Sequence, residues 1–115
     1  MKDDVKSRLL APDSDAVPVK LFGSEFYVRR LTAFEMSEFE DKASQLSGPD
    51  NTRGLMLEAA GLVLSALVDE NGLPLQNLPS PLELMKSRSY ASITEAMSKV
   101  QRFSYGTLEE AQKNS

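Results

Sequence analysis

The sequence contains no cysteine, histidine or tryptophan among its 115 residues. Without cysteine there is no disulfide, no thiolate nucleophile and no cysteine-ligated metal centre. Without histidine, the commonest metal ligand and the commonest general base near neutral pH are missing. The serines and lysines also form neither an S-x-x-K nor a G-x-S-x-G motif. We therefore expect no cofactor, no metal and no enzymatic activity.

Positive charge and long apolar runs are also scarce. The chain has 13 Lys+Arg against 17 Asp+Glu, a net charge of −4, so it lacks the basic excess on which nucleic-acid binding rests. The longest apolar stretch, residues 59–68, is half the roughly 20 residues that a membrane-spanning helix needs. The charged start, Met1 to Arg8, has no apolar signal region behind it. We expect a cytoplasmic protein with neither nucleic-acid nor membrane partners.

The composition, 41% hydrophobic and 26% charged, is typical of a globular protein. Residues 1–16 carry mixed charges and little apolar surface beyond Leu9-Leu10, which indicates a mobile N-terminal arm. Residues 17–106 contain the patterned elements of a single domain. Residues 107–115 are a polar C-terminal tail.

A β-hairpin is predicted at the start of the domain. Apolar residues alternate on both sides of Gly23-Ser24, at Val17, Val19 and Leu21 and again at Phe26 and Val28. Glycine at the first turn position favours a type II′ turn, which pairs Leu21 with Phe26 and Val19 with Val28. An isolated hairpin is marginal in water, so helices or another chain must cover it.

Four helices are predicted after the hairpin. Thr32 and Glu35 have capping-box spacing, and Ser80 and Glu83 repeat it at the third helix. Between them, a second helix begins at Asn51 or Thr52 and runs to about Val68. The apolar residues expected to face the core are Met36, Phe39, Ala43 and Leu46 in the first helix, Leu82 and Met85 in the third, and Ile93, Ala96, Met97, Val100 and Phe103 in the fourth. The fold class is therefore α+β, mainly helical, with an N-terminal β-hairpin packed on about four α-helices.

The second helix has almost no polar face, so it must be covered nearly all round. One interpretation is a core helix buried by its own domain. The other is that part of its surface binds a partner or a second subunit, which would make the protein a homo-oligomer. The candidate interface residues are Leu55, Met56, Leu62, Val63 and Leu67.

The order of these elements resembles that of tail assembly chaperones from long-tailed, siphovirus-type bacteriophages. The resemblance lies in FYVRRLTAFE (residues 26–35) continuing to EFE (38–40), and in AAGLVLSALVDENGLPL (59–75). In the second segment an apolar helix runs into an acidic Asp-x-x-Gly turn and a short apolar stretch. Residues 92–103 match the helical end of that family.

The resemblance implies a protein made during phage infection in the host bacterial cytoplasm and absent from the mature virion. Such a chaperone binds the tape measure protein, keeps it soluble and helps recruit tail tube protein during tail morphogenesis. The family often recruits tail tube protein through a longer, frameshifted product. Two alternatives remain: a structural virion tail or connector protein whose apolar helix is a permanent ring interface, and a small bacterial partner-binding regulator.

Overall fold

A small antiparallel sheet and a cluster of helices make up the described residues, 4–12, 16–46 and 48–106, of the computed structural model. The strands are β1 (Ala16–Leu21), β2 (Ser24–Arg29) and β3 (Leu67–Val68). The helices are α1 (Val5–Leu9), α2 (Ala33–Gln45), α3 (Thr52–Ala66), α4 (Pro81–Ser87) and α5 (Tyr90–Tyr105), with a short 3₁₀ turn at Pro49–Asn51. The predicted α+β, mainly helical class with an N-terminal hairpin is confirmed. The predicted tail, residues 107–115, lies outside the described residues.

The hairpin turn is one residue earlier than predicted. Phe22 and Gly23 occupy it, with φ of 54° and 82°, and Leu21 pairs with Ser24 while Val19 pairs with Phe26. Two consecutive positive φ angles are typical of a type I′ turn, so the predicted type II′ turn and its register were wrong. The left-handed conformation costs a bulky residue such as Phe22 about 1 kcal/mol. Packing of Phe22 on the core, with the Arg88 guanidinium 5.2 Å from its ring centre, offsets that cost. The apolar face of the hairpin is unchanged, because each residue of β1 pairs two positions away from its predicted partner and a shift of two residues keeps side chains on the same face.

The sheet has a third strand where a helix was expected to continue. Helix α3 ends at Ala66, and Leu67-Val68 pair with Val28 and Tyr27 of β2 in the order β1-β2-β3. Backbone groups on that side of β2 would otherwise lack partners, which explains why the chain leaves the helix two residues early. The Asp69 carboxylate then accepts hydrogen bonds from the backbone N–H of Asn71 and Leu73, at 2.8 and 3.0 Å, and closes the acidic turn.

The outer edge of β1 is closed by two side chains. A two-residue turn makes the flanking pair hydrogen-bonded, so the alternate residues Lys20 and Pro18 direct their backbone groups away from β2. Proline has no N–H to donate, and the Lys99 ammonium donates to the Lys20 carbonyl at 2.8 Å. A side chain of α5 therefore ties the helical part of the domain to the edge of the sheet.

Helix α3 lies at the centre of the core, between α2, α4 and α5. Ala60, Val63 and Ala66 have no exposed surface. The predicted core residues of α5 belong to the core or pack against it, as do Met36, Phe39 and Ala43 of α2, whereas Leu46 follows the end of α2 and is not part of the core. In α4 the prediction was wrong for Leu82, which is 45% exposed, because Leu84 faces the core instead. The Pro81 ring approaches α3 at Gly61, where a Cβ would lie 3.7 Å from Pro81 Cγ. With Pro81 against α3, the next side chain points outward.

Candidate protein-binding surfaces

The five candidate residues on the apolar helix lie mostly inside the domain. Met56, Leu62, Val63 and Leu67 are buried in the core of their own chain, and Leu55 is half-buried. Leu67 belongs to β3 rather than to the helix. Contact through Val63 would require the core to open, whereas Leu55 has surface available in the folded domain. A partner or subunit interface on α3 stays a prediction.

A salt bridge fixes the junction between β2 and α2. The Arg29 guanidinium donates to both Glu35 carboxylate oxygens, at 3.0 and 2.9 Å, and to the Ser65 carbonyl at 3.2 Å. Glu35 also accepts from the Thr32 N–H, which completes the predicted capping box. The hydrogen bonds from Arg29 hold the pKa of Glu35 at about 2, below its ordinary 4.5. No local sequence pattern predicts the contact of Arg29 with Ser65, because 36 residues separate them.

A second set of contacts connects the residues before α2 to the end of α5. Arg30 donates from Nε to the Phe103 carbonyl at 3.0 Å, and its guanidinium lies 4.4 Å from the Phe103 ring centre. The Leu31 N–H donates to the Ser104 hydroxyl at 2.9 Å. These contacts bring together residues more than 70 positions apart and build one wall of a surface groove.

We call this groove the arm groove. It has a volume of about 770 Å³ and lies between α1, the start of α2 and the end of α5. Leu31 and Met36 lie buried in its wall, but the side chains around them are exposed: Leu9 by 77%, Leu10 and Phe34 by 69% and Tyr105 by 58%. A cluster of large, exposed apolar side chains is typical of an interaction site.

Polar contacts position one side of the arm groove. The Tyr105 hydroxyl donates to the Glu40 carboxylate at 2.5 Å, which links α5 to α2. The same hydrogen bond raises the pKa of Tyr105, because the carboxylate favours the protonated phenol. By contrast, helix α1 has no buried residue. The arm groove therefore has one wall held by long-range hydrogen bonds and one formed by an exposed helix.

The sequence contained a signal for this surface. Leu9-Leu10 is an apolar pair in a polar segment, and Phe34 lies off the Met36, Phe39, Ala43 stripe of its helix. Both features place apolar side chains where the domain core does not need them. The sequence could not show that they meet, because no local pattern relates residues 9, 34 and 105.

A second groove, the methionine groove, lies elsewhere on the domain, between the start of α3, the end of α4 and the start of α5. It has a volume of about 400 Å³. Met56, Met85 and Ile93 are its buried or half-buried apolar residues, while the exposed side chains of Arg53, Arg88 and Tyr90 also line it; Thr52 completes the set. Methionine is unbranched and polarizable, which suits a surface that must adapt to a bound side chain.

Within the part of the chain that the structure describes, neither a candidate metal site nor a membrane-spanning helix is present. Among residues 4–12, 16–46 and 48–106, no group of three or more Asp or Glu side chains is placed to hold a metal ion. In the same residues no helix has the length and hydropathy to cross a bilayer.

A family model described as "phage tail assembly chaperone protein, TAC" matches residues 4–114. The chain belongs to the phage tail assembly chaperone family. The match extends over both grooves and confirms the resemblance found in the sequence. No curated protein and no solved structure matches the chain. Membership in this chaperone family implies protein partners in the tail and a role in assembly rather than in catalysis.

Proposed function

We propose that this tail assembly chaperone binds the tape measure protein, keeps it soluble and helps recruit tail tube protein during tail morphogenesis. The arm groove is the observation that carries the proposal. A long helical client exposes apolar stripes before it is enclosed, and Leu9, Leu10, Phe34 and Tyr105 offer a complementary apolar surface on a folded support.

The groove also suits reversible binding. Its apolar rim is accompanied by the polar side chains of Thr32, Ser37 and Glu40, so one site offers a small apolar area rather than a deep pocket. Several copies, acting as a homo-oligomer along one client, would combine weak contacts into firm binding. Growth of the tail tube would then displace the copies one at a time. A longer, frameshifted form would supply the contact with tail tube protein.

This function needs no catalytic group and no nucleic acid. The net charge of −4 and the amphipathic helices keep the chaperone–client complex soluble. The proposal places the protein in the host bacterial cytoplasm and outside the mature virion, since displaced copies have no position in the finished tube.

The test is co-expression with the tape measure protein of the same phage, followed by measurement of soluble client. We expect the wild-type chaperone to keep the client soluble and Phe34→Ser to reduce the soluble fraction severalfold. Leu73→Ser is the matched control, because Leu73 is 59% exposed and does not line the arm groove. Equal loss with both variants, or no loss with Phe34→Ser, would contradict the assignment of the arm groove.

Purified virions provide the second readout. Mass spectrometry should detect no copy of this chain in them. Stoichiometric incorporation would identify a structural tail or connector protein and overturn the chaperone proposal.

A further inference from the structure

The methionine groove is positively charged in an acidic protein. Arg53 and Arg88 both line it, and neither forms a salt bridge within the part of the chain that the structure describes. The Arg88 guanidinium also lies 5.2 Å from the centre of the Phe22 ring, a contact that restricts its movement. The rim therefore offers two cations to an occupant.

One helix N-terminus strengthens this positive potential. Helix α3 begins at the groove, but Asp50 lies in the 3₁₀ turn directly before it. Helix α5 also begins at the groove and has no acidic residue in its first turn. In contrast, α2 and α4 each have a glutamate there, Glu35 and Glu83, which balances the positive end of the helix dipole. Between the two arginines and the helix ends lie the apolar side chains of Met56, Met85 and Ile93. An occupant that fits this groove has an apolar side chain next to carboxylates.

The chain itself contains such a segment directly after α5. Residues 107–115 read TLEEAQKNS, so Leu108 is followed by Glu109 and Glu110, with no basic residue before Lys113. One apolar side chain followed by two carboxylates matches the apolar floor and the two arginines of the methionine groove.

The length of α5 excludes insertion of this segment into the groove of its own chain. Ile93 is the groove residue nearest to Gly106 along α5, and the rise of about 1.5 Å per residue places them about 20 Å apart. Leu108 follows Gly106 by two residues and reaches at most about 7 Å from it. A groove within reach of Leu108 must belong to another molecule.

We propose that Leu108-Glu109-Glu110 of one copy binds the methionine groove of a second copy, with Leu108 against Met56 and Met85 and the glutamates against Arg53 and Arg88. The contact joins two different surfaces, so it leaves a groove and a segment unoccupied at the ends of a dimer. Repetition extends the assembly into a ring or an open chain. The inference depends on the proposal that several copies act together and does not depend on which client they bind.

The test measures the mass of the purified full-length chain by analytical ultracentrifugation, without any client. The groove variant Arg53→Glu/Arg88→Glu and the segment variant Glu109→Arg/Glu110→Arg each place like charges at the contact. We expect each variant alone to self-associate more than about tenfold more weakly than the wild type. An equimolar mixture of the two should assemble again, because each charge-reversed surface meets its complement.

Lys6→Glu/Lys20→Glu is the matched control, with the same change in net charge at two exposed positions away from the groove. Circular dichroism of every variant verifies that the domain remains folded. A monomeric wild type, unchanged assembly in either charge-reversed variant, or failure of the mixture to assemble would overturn the proposal. Because no client is present, these results concern only the contact between copies. A monomeric wild type would remove the homo-oligomer from the proposed function, and client binding at the arm groove would still be tested separately by co-expression.

Discussion

The two grooves of this domain differ in what surrounds their apolar residues. In the arm groove, large apolar side chains stand exposed beside a helix, α1, that has no buried residue. In the methionine groove, the apolar residues are more enclosed and two arginines line the same cleft. The arm groove therefore places few constraints on the sequence of an apolar partner. The methionine groove favours a partner with carboxylates. One small domain thus has a binding surface of low sequence specificity and another of higher specificity.

The largest effect should come from the core that supports both grooves. Val63→Asp places a carboxylate where no side-chain surface reaches water, and we expect it to destabilise the domain by about 4 kcal/mol. Urea unfolding followed by circular dichroism measures the change. Leu55→Asp, at a half-buried position of the same helix, should cost far less. Similar losses at both positions would mean that burial of the Val63 side chain does not decide the stability of the core beneath the two grooves.

Acid should weaken the support of the arm groove selectively. The pKa of Glu35 is lowered from 4.5 to about 2, so its pairing with Arg29 stabilises the folded state fully above pH 4.5 and loses that effect as the pH falls toward 2. Allowing for solvent screening of this half-exposed pair, the loss should be about 1.5 kcal/mol.

Urea titrations of the wild type and Glu35→Gln between pH 7 and pH 2 test this dependence. The difference in stability between the two proteins should shrink as the pH falls. Glu38→Gln, on the exposed side of the same helix, is the control. A difference that stays constant with pH would refute the role of the Arg29–Glu35 pair.

The support of the methionine groove can be weakened separately at the start of α4. The Ser80 hydroxyl accepts from the Glu83 N–H at 3.1 Å, and the Glu83 carboxylate accepts from the Ser80 N–H at 2.8 Å. Ser80→Ala removes the first of these bonds and should cost about 1 kcal/mol. Urea unfolding gives the cost, and hydrogen exchange should locate faster opening in α4 rather than in α2. Ser87→Ala, at the other end of the helix, should change little.

The smallest change in stability is expected at the rim of the arm groove. Leu9→Ser/Leu10→Ser removes two side chains that are more than two-thirds exposed, so the free energy of unfolding should change by less than about 0.5 kcal/mol. Client solubilisation should nevertheless fall, as with Phe34→Ser. Retained solubilisation would show that the client binds elsewhere, and a large loss of stability would show that α1 belongs to the folded core.

The sequence predicted the elements that local signals specify. Capping boxes at Thr32 and Ser80 predicted where two helices begin, and the stripe from Ile93 to Phe103 predicted the buried side of α5. The sequence-based prediction was wrong where tertiary contacts decide the turn type and the end of a helix. Phe22 lies at an unfavourable turn position because the core and Arg88 contact it. Leu67 belongs to a strand rather than to α3 because it pairs with β2.

The candidate surfaces divide in the same way. The apolar composition of α3 led to the prediction of an interface at Leu55, Met56, Leu62, Val63 and Leu67. Apolar composition alone, however, does not distinguish a core helix from an interface helix. The arm groove and the methionine groove are each assembled from three separate elements. The spacing of residues within one element cannot predict that three elements form a groove. An apolar residue outside the core stripe of its helix, such as Phe34, does indicate that its own helix contributes apolar surface.

The closed edge of β1 has a consequence for a protein that works beside unfolded chains. An open strand edge is a template on which other chains can add strands and begin to aggregate. Here an incoming strand would find no N–H at Pro18 and would have to displace the Lys99 ammonium from the Lys20 carbonyl. These two features of β1 oppose the addition of a further strand, and with it amyloid-like stacking at this edge.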